Sequence, residues 1–384
     1  MHKSFKLFAV PAAVLLLLCL LFLKTNDLSN WDFPEGLPAN HQRRIRQEIL
    51  QAAQVLDGEI SADIDAEETL LIEAGFSAFD TDAVYPTYLT NPEALTDFWD
   101  SVCAGKDATL SLLRIPQAHT LRHIFFLHEN GETQFFTTDV ALDGQQAPYV
   151  LEASRMPVYE MELADWGIFY YRLYPANDPH YIDYSQIRLQ SVDRELYDLN
   201  RKYILPVGYQ MVNLFLCDWQ EGNWGSLSFH DLLESLYTRN TGETLEWEQY
   251  PRAGNPSRVM IPAPLFEDTI LPYFQISLED FRSICQFDEA GNRYPWRPIH
   301  GDDLTTWGYP MCEPEVVRRT EHPDGTITLD IQVYSPELKT NRLFCHTLTV
   351  RPLDGEQFQY VSNRVTYVSD RGLPPSMDRF ALDE

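Results

Sequence analysis

Positive charge is what this sequence has least of. Lys and Arg total 29 against 57 Asp and Glu, so the 384-residue chain carries a formal charge of −28. A field of that sign does not displace counterions from a phosphate backbone, and no interleaved Arg/aromatic pattern offers bases a stacking platform. Nucleic acid is thereby excluded as the main partner. Cysteine is scarce as well: Cys19, Cys103, Cys217, Cys285, Cys312 and Cys345 are widely spaced, with no C-x-x-C and no zinc-ligand spacing. Outside the N-terminal run that leaves two disulfides at most, and small buried hydrophobes is the expected role of most of these thiols. Catalytic signatures are missing too. There is no G-x-S-x-G elbow, H-E-x-x-H, P-loop or EF-hand loop, and no cofactor-binding fingerprint. Carboxylates are so abundant that no pair stands out as an acid and nucleophile.

Apolar and aromatic residues are plentiful, at 44% and 13% of the chain, which is a globular composition long enough for two domains. Lys3 and Lys6 precede an uninterrupted apolar run over residues 7–23. Its length is at the low end for a membrane span, and no small-x-small cleavage site follows. We therefore expect an uncleaved single-pass anchor, with a cleaved signal as the alternative. Positive charge on the N-terminal side places residues 1–6 in the cytoplasm and the acidic body outside the cell membrane. Leu18 stands where a lipobox before Cys19 requires a small residue. Residues 24–38 read as a tether.

The body divides into an N-terminal domain at 39–195, a C-terminal domain at 196–368 and a polar tail at 369–384, expected to be loosely held. Asn40 caps a helix through Leu56 whose Ile45, Ile49, Ala52, Ala53 and Leu56 recur at helical spacing. Residues 70–79 read as strand, and Asn91-Pro92-Glu93 opens a helix that stops at Gly105. Strands are then expected at 109–115, 121–128, 133–140, 158–163 and 168–174, with Asn130-Gly131 as a hairpin turn. A seam at 194–219 begins amphipathic, turns at Pro206-Val207-Gly208 and resumes as an apolar run ending at Trp219. Beyond it, Ser228-x-x-Asp231, Pro264 and Ser277-x-x-Asp280 open three helices. Alternating strands at 315–321, 326–334, 343–351 and 358–368 follow, joined at Asp324-Gly325 and Asp354-Gly355. The fold class is α+β: two domains, each with helices packed on a twisted antiparallel sheet. The second has the element order of cystatin-like and nuclear-transport-factor-like cones.

The blocks NRKYILPVGY, NLFLCDW, LPYFQISLEDFRS, PDGTITL and TVRPLDGEQFQYVSNRV resemble an uncharacterised domain-of-unknown-function family. Its members are exported or membrane-attached proteins of Gram-positive, largely clostridial bacteria. The resemblance covers most of residues 70–368. It implies export and attachment to the outer face, and it carries no activity and no catalytic residues.

Candidate chemistry is thin. His119, His123 and His128 form the one histidine cluster, but strand alternation puts His128 opposite the other two, so they read as ordinary strand residues. His300-Gly301-Asp302-Asp303 sets a histidine beside two carboxylates in a turn-rich loop, able to ligate a cation or hold a general base, or simply solvated. The aromatics Trp219, Trp224, Tyr273, Phe274, Trp296, Trp307 and Tyr309 gather in the helical part of the second half. Two readings stay open for them: lining a concave ligand site, or closing the core. The function expected is a non-enzymatic binding or assembly module, its partners the membrane through the N-terminal segment and an envelope protein or cell-wall ligand. An envelope hydrolase using carboxylates or the His300 loop, and a structural spacer, are the alternatives.

Overall fold

The structure, a computed structural model, describes residues 31–56, 64–81, 84–142, 147–176, 184–252, 258–299, 309–377 and 379–380. The expected anchor at 7–23, the His300 loop and Trp307 lie outside the described residues. Among the described residues no helix is long and apolar enough to cross a membrane. Helices and antiparallel sheets together make an α+β protein. The chain divides into two compact units, Met1–Ser191 and Val192–Glu384.

The first unit begins with α1 (Ala39–Leu56), whose Ile45, Ile49, Ala52 and Leu56 are buried at the expected spacing. α2 (Ile64–Glu73) corrects the strand expected over residues 70–79. Leu70, Leu71 and Ile72 form the last turns of a helix with Asp65 and Glu67 in its first turn, and only β1 (Phe79–Asp80) is extended. A short apolar run has no period of its own, so the neighbouring acidic turn decided it. β2 (Tyr88–Leu89) pairs with β1. Asn91 does not cap α3 (Glu93–Cys103). It sits at φ +48 with its amide on the Phe76 carbonyl at 2.8 Å, and Pro92 takes the cap position.

Four strands follow as a meander, β3 (Ala108–Gln117), β4 (Thr120–Glu129), β5 (Glu132–Ala141) and β6 (Tyr149–Val158), in that spatial order. Asn130 and Gly131 both take positive φ, as a two-residue hairpin with the twist of its flanking strands requires. Both faces of this sheet are covered. Leu113, Leu121, Phe125 and Phe136 join α1 and α2 in one cluster. Leu112, Ile124, Phe126 and Phe135 join α3 and the three-stranded sheet of β7 (Glu160–Ala164), β8 (Ile168–Arg172) and β9 (Ser185–Arg188) in another. That is why β4 reads as an almost unbroken apolar run.

The second unit opens with α4 (Arg194–Tyr203), capped by Asp193, whose carboxylate accepts from the Leu196 amide at 3.1 Å. The chain turns through Gly208 at φ +68 and reaches β10 (Trp219–Gln220), with Leu214 and Leu216 in the core. α5 (Leu233–Thr241) follows a 3-10 turn at Phe229–Leu232 and ends at left-handed Gly242. β11 (Val259–Pro262) runs straight into α6 (Ala263–Ile270), and a 3-10 turn at Leu271–Tyr273 leads to α7 (Leu278–Ile284), capped by Ser277. β12 (Arg293–Trp296) pairs with β11. Last come β13 (Glu313–Glu321), β14 (Ile327–Ser335), β15 (Thr340–Pro352) and β16 (Phe358–Val368), an antiparallel sheet in the order β10-β16-β15-β14-β13. Leu329, Ile331 and Val333 on β14 all turn inward and are fully buried, each stabilising the fold by roughly 1.5–3 kcal/mol. They meet Leu236, Phe266, Ile270, Phe281 and Trp296 in one core.

The tail is not loose over its described part. The Arg297 amide donates to the Arg379 carbonyl at 2.9 Å, Arg379 is buried with its guanidinium 5.0 Å from the Trp296 ring, and it ion-pairs with Glu234. The five described cysteines beyond residue 30 are free thiols.

Candidate functional site

Six of the seven aromatics singled out in the sequence lie within the described residues, and they do not gather at one place. Trp219 is held by its indole N–H on the Leu214 carbonyl at 2.8 Å and stacks on Trp224, ring centroids 5.9 Å apart. Phe229 and Phe274 close around Trp224, so this group is core packing with only Trp224 partly open. Trp296 is wholly enclosed, its indole N–H on the His230 carbonyl at 2.9 Å. Tyr273 borders a cleft.

That cleft encloses about 590 Å³ and is lined by Arg239, Asn240, Pro272, Tyr273, Glu356, Gln357 and Phe358. Three local features build it. The left-handed stop at Gly242 ends α5 so that its last turn presents Arg239 and Asn240. Pro272 fixes the 3-10 turn that carries Tyr273. The Asp354-Gly355 turn, with Gly355 at φ +69, returns the chain so that β16 starts at Phe358. The Tyr273 hydroxyl donates to the Asn240 amide oxygen at 2.5 Å, and the Tyr273 and Phe358 rings meet edge-on at 5.4 Å. Burial raises the Tyr273 phenol above its ordinary value, against the lowering effect of Arg239, so it stays a neutral donor.

Arg239 supplies the positive edge of the cleft. Its guanidinium lies 5.0 Å from the Phe358 ring centroid, in cation–π range. Among the described residues no carboxylate pairs with Arg239, as is also true of Arg46, Arg114 and Arg155, which likewise lie over aromatic rings; what sets Arg239 apart is its place on a cleft, beside the Tyr273 hydroxyl. Glu356, at the rim, is engaged by Lys202 at 3.1 Å. The lining holds no serine, threonine, cysteine or histidine, and its titratable side chains are Arg239, Tyr273 and Glu356. What it offers is an aromatic floor, two amides and a guanidinium edge. Composition gave no reason to single out Arg239, because a basic residue in a last helical turn is ordinary dipole compensation.

The histidines find other work. His119 turns between β3 and β4 at φ +64. His123 faces α1, with Nε2 2.8 Å from Glu48, and His128 meets Thr133 through Nδ1 at 2.8 Å on the opposite face. Burial alone would raise the Glu48 carboxyl, but the hydrogen bond and charge of His123, with the bond of Arg44, hold it at about 2. No group of three or more His, Cys, Asp or Glu suited to a metal ion occurs among the described residues.

A profile of a family of unknown function matches residues 42–379. The chain belongs to that family (DUF6070). No curated protein and no solved structure matches it. The match runs from the first turns of α1 to the buried Arg379 and so takes in both units, including the cleft.

Proposed function

We propose that this member of the family is a non-enzymatic binding module that takes a ligand in the Arg239–Tyr273 cleft. The observation that carries the reading is a guanidinium at the edge of the cleft, over the Phe358 ring and beside the Tyr273 hydroxyl, with no carboxylate paired to it among the described residues, in a chain where carboxylates outnumber cations two to one. A guanidinium so placed accepts a carboxylate or phosphate through two parallel N–H bonds while Tyr273 and Phe358 take an apolar or sugar face. The lining favours binding over hydrolysis, because its one carboxylate, Glu356, is engaged by Lys202 and no second carboxylate or histidine lines the cleft with it.

The finer reading is that the module stands on the outer face of a bacterial membrane, held by the 7–23 segment, with cell-wall material or an envelope protein as its ligand. The apolar run behind Lys3 and Lys6, and the resemblance to exported clostridial proteins, support it. The second unit is read as a cone-type domain, on the strength of a five-stranded antiparallel sheet whose inner face covers α5, α6 and α7.

Co-sedimentation of the full-length protein with isolated cell-wall fragments tests the reading. Arg239→Ala is expected to weaken binding about tenfold, the loss of one charge-assisted contact, with the fold unchanged since Arg239 is half-exposed. Equal binding by wild type and Arg239→Ala refutes the site.

A further inference from the structure

The second unit grips its own C-terminal tail in a pocket built from three elements: the 3-10 turn at Phe229–Leu232, the first turn of α5 and the end of β12. Two adjacent residues, Arg379 and Phe380, fill it. The Arg379 amide donates to Asp231 Oδ1 at 3.3 Å, and its carbonyl accepts from the Arg297 amide at 2.9 Å, so main-chain bonds hold the segment against the end of β12. The Arg379 guanidinium ion-pairs with Glu234 and lies 5.0 Å from the Trp296 ring centroid, and the residue is 6% exposed. The Phe380 ring centroid lies 5.2 Å from that of His230 and 5.6 Å from the Arg258 guanidinium.

A carboxylate, an indole face and main-chain bonds together recognise an arginine, and the His230 and Arg258 shelf favours an aromatic ring directly after it. All of these contacts are local to two residues, so any extended segment with the same pair meets them equally well. The tail also leaves without unravelling anything. Between the end of β16 at Val368 and Arg379 the described residues hold no helix or strand, and Pro375 and Ser376 are exposed. An emptied pocket is unfavourable, however. Asp231, wholly buried, loses the Arg379 amide and Glu234 loses its cation, in a chain already at −28. The pocket therefore passes from one arginine-aromatic segment to another and does not stand open.

We propose that this pocket is a binding site for an extended segment of another protein carrying an arginine followed by an aromatic residue, and that the chain's own tail occupies it as an internal surrogate. A tethered tail acts at an effective concentration on the order of millimolar. The identical tail of a second copy gains nothing by exchange, whereas a partner with contacts beyond the pocket displaces the tail. Glu234 lies in the first turn of α5 and Arg239 in the last, and the site does not rest on the Arg239 cleft.

Fluorescence anisotropy of the full-length protein with a labelled peptide of residues 374–384 tests this. Arg379→Ala, which weakens the tail and leaves the pocket residues in place, is expected to bind the peptide saturably and roughly tenfold more tightly than wild type, whose tail competes. Arg379→Lys or Phe380→Ala in the peptide is expected to weaken binding roughly fivefold, and Glu234→Gln added to the Arg379→Ala protein roughly tenfold. Circular dichroism of each variant establishes that it is folded. Hydrogen exchange of the wild type gives a readout free of any substitution: the Arg297 amide is expected to exchange roughly tenfold faster than the slowest β15 amides, through local release of the tail. A folded Arg379→Ala protein that does not bind the peptide, equal affinity for the substituted peptides, or an Arg297 amide that opens only together with β15 would overturn the proposal. So would a concentration-dependent wild-type dimer that Glu234→Gln abolishes, because the occupant is then the tail of a second copy.

Discussion

Acid should loosen the second unit through one buried imidazole. His346 on β15 is 1% exposed and faces Tyr209, which hydrogen-bonds its Nε2 at 2.8 Å, while Nδ1 meets the Asn363 amide oxygen at 2.7 Å. Asn363 donates its own nitrogen to the Cys217 carbonyl at 2.8 Å, so its oxygen is the arm facing the ring. The proton therefore sits on Nδ1, and Tyr209 donates to Nε2. Burial pushes the imidazole down to about 4 from 6.5, against the Asn363 bond, which favours the charged form. Between those values the unfolded chain binds a proton that the folded one refuses, so stability rises with pH across the interval. The contribution is complete above about 6.5 and is lost as pH falls through about 4. At 1.36 kcal/mol per decade, the interval is worth about 3 kcal/mol.

The measurement is a difference, because many other groups titrate. Urea unfolding of wild type and His346→Gln is followed by hydrogen exchange at β15 and β16 amides, at pH 7, 5.5 and 4. Gln fills much of the space and does not ionise. The stability advantage of wild type over the variant is expected to shrink by about 3 kcal/mol between pH 7 and pH 4. A difference constant to within about 0.5 kcal/mol over that interval would refute the account, since it would mean the ring gains or loses no proton on unfolding.

Two other predictions concern the opposite sign and the core. Glu68 on α2 is buried, which pushes its carboxyl up to about 7 despite the bond from the Thr81 amide. Here the folded state holds the extra proton, so its stabilising contribution is present below about 4.5 and is lost as pH rises through about 7. Glu68→Gln, which stays neutral and keeps an acceptor for Thr81, should raise the melting temperature of the first unit at pH 8 and leave it little changed at pH 4. Trp296→Ala leaves a cavity in the main core and an unpaired His230 carbonyl, and should cost about 3–5 kcal/mol by chemical denaturation. A loss under 1 kcal/mol would contradict its placement.

Much of the element order was legible in local chemistry. The Asn130-Gly131, Asp324-Gly325 and Asp354-Gly355 turns, the Ser277 cap and the buried stripe of α1 each depend on a few adjacent residues, whose φ preferences and periodicity suffice. Misreadings arose where local preference is weak. Leu70–Ile72 carry no period, β6 at Tyr149–Val158 mixes polar and apolar residues on a largely exposed edge, and the tail from residue 370 has the composition of a loop yet places Arg379 against Trp296.

The candidate site was the least legible part. Trp296, Trp219 and Tyr273 look alike in sequence, and only packing separates two core anchors from one residue at a cleft. Arg239 carries no local signal whatever. Its interest lies in its place beside Tyr273 and Phe358, which is defined only once α5, the Leu271–Tyr273 turn and β16 have come together. Charge, the N-terminal apolar run, the turns and the α+β class could be read directly from the residues, because each is a sum of short-range preferences. Which aromatics are enclosed, which polar groups are satisfied and where clefts remain emerge only on folding. Those follow from the mutual exclusion of side chains that lie far apart along the chain.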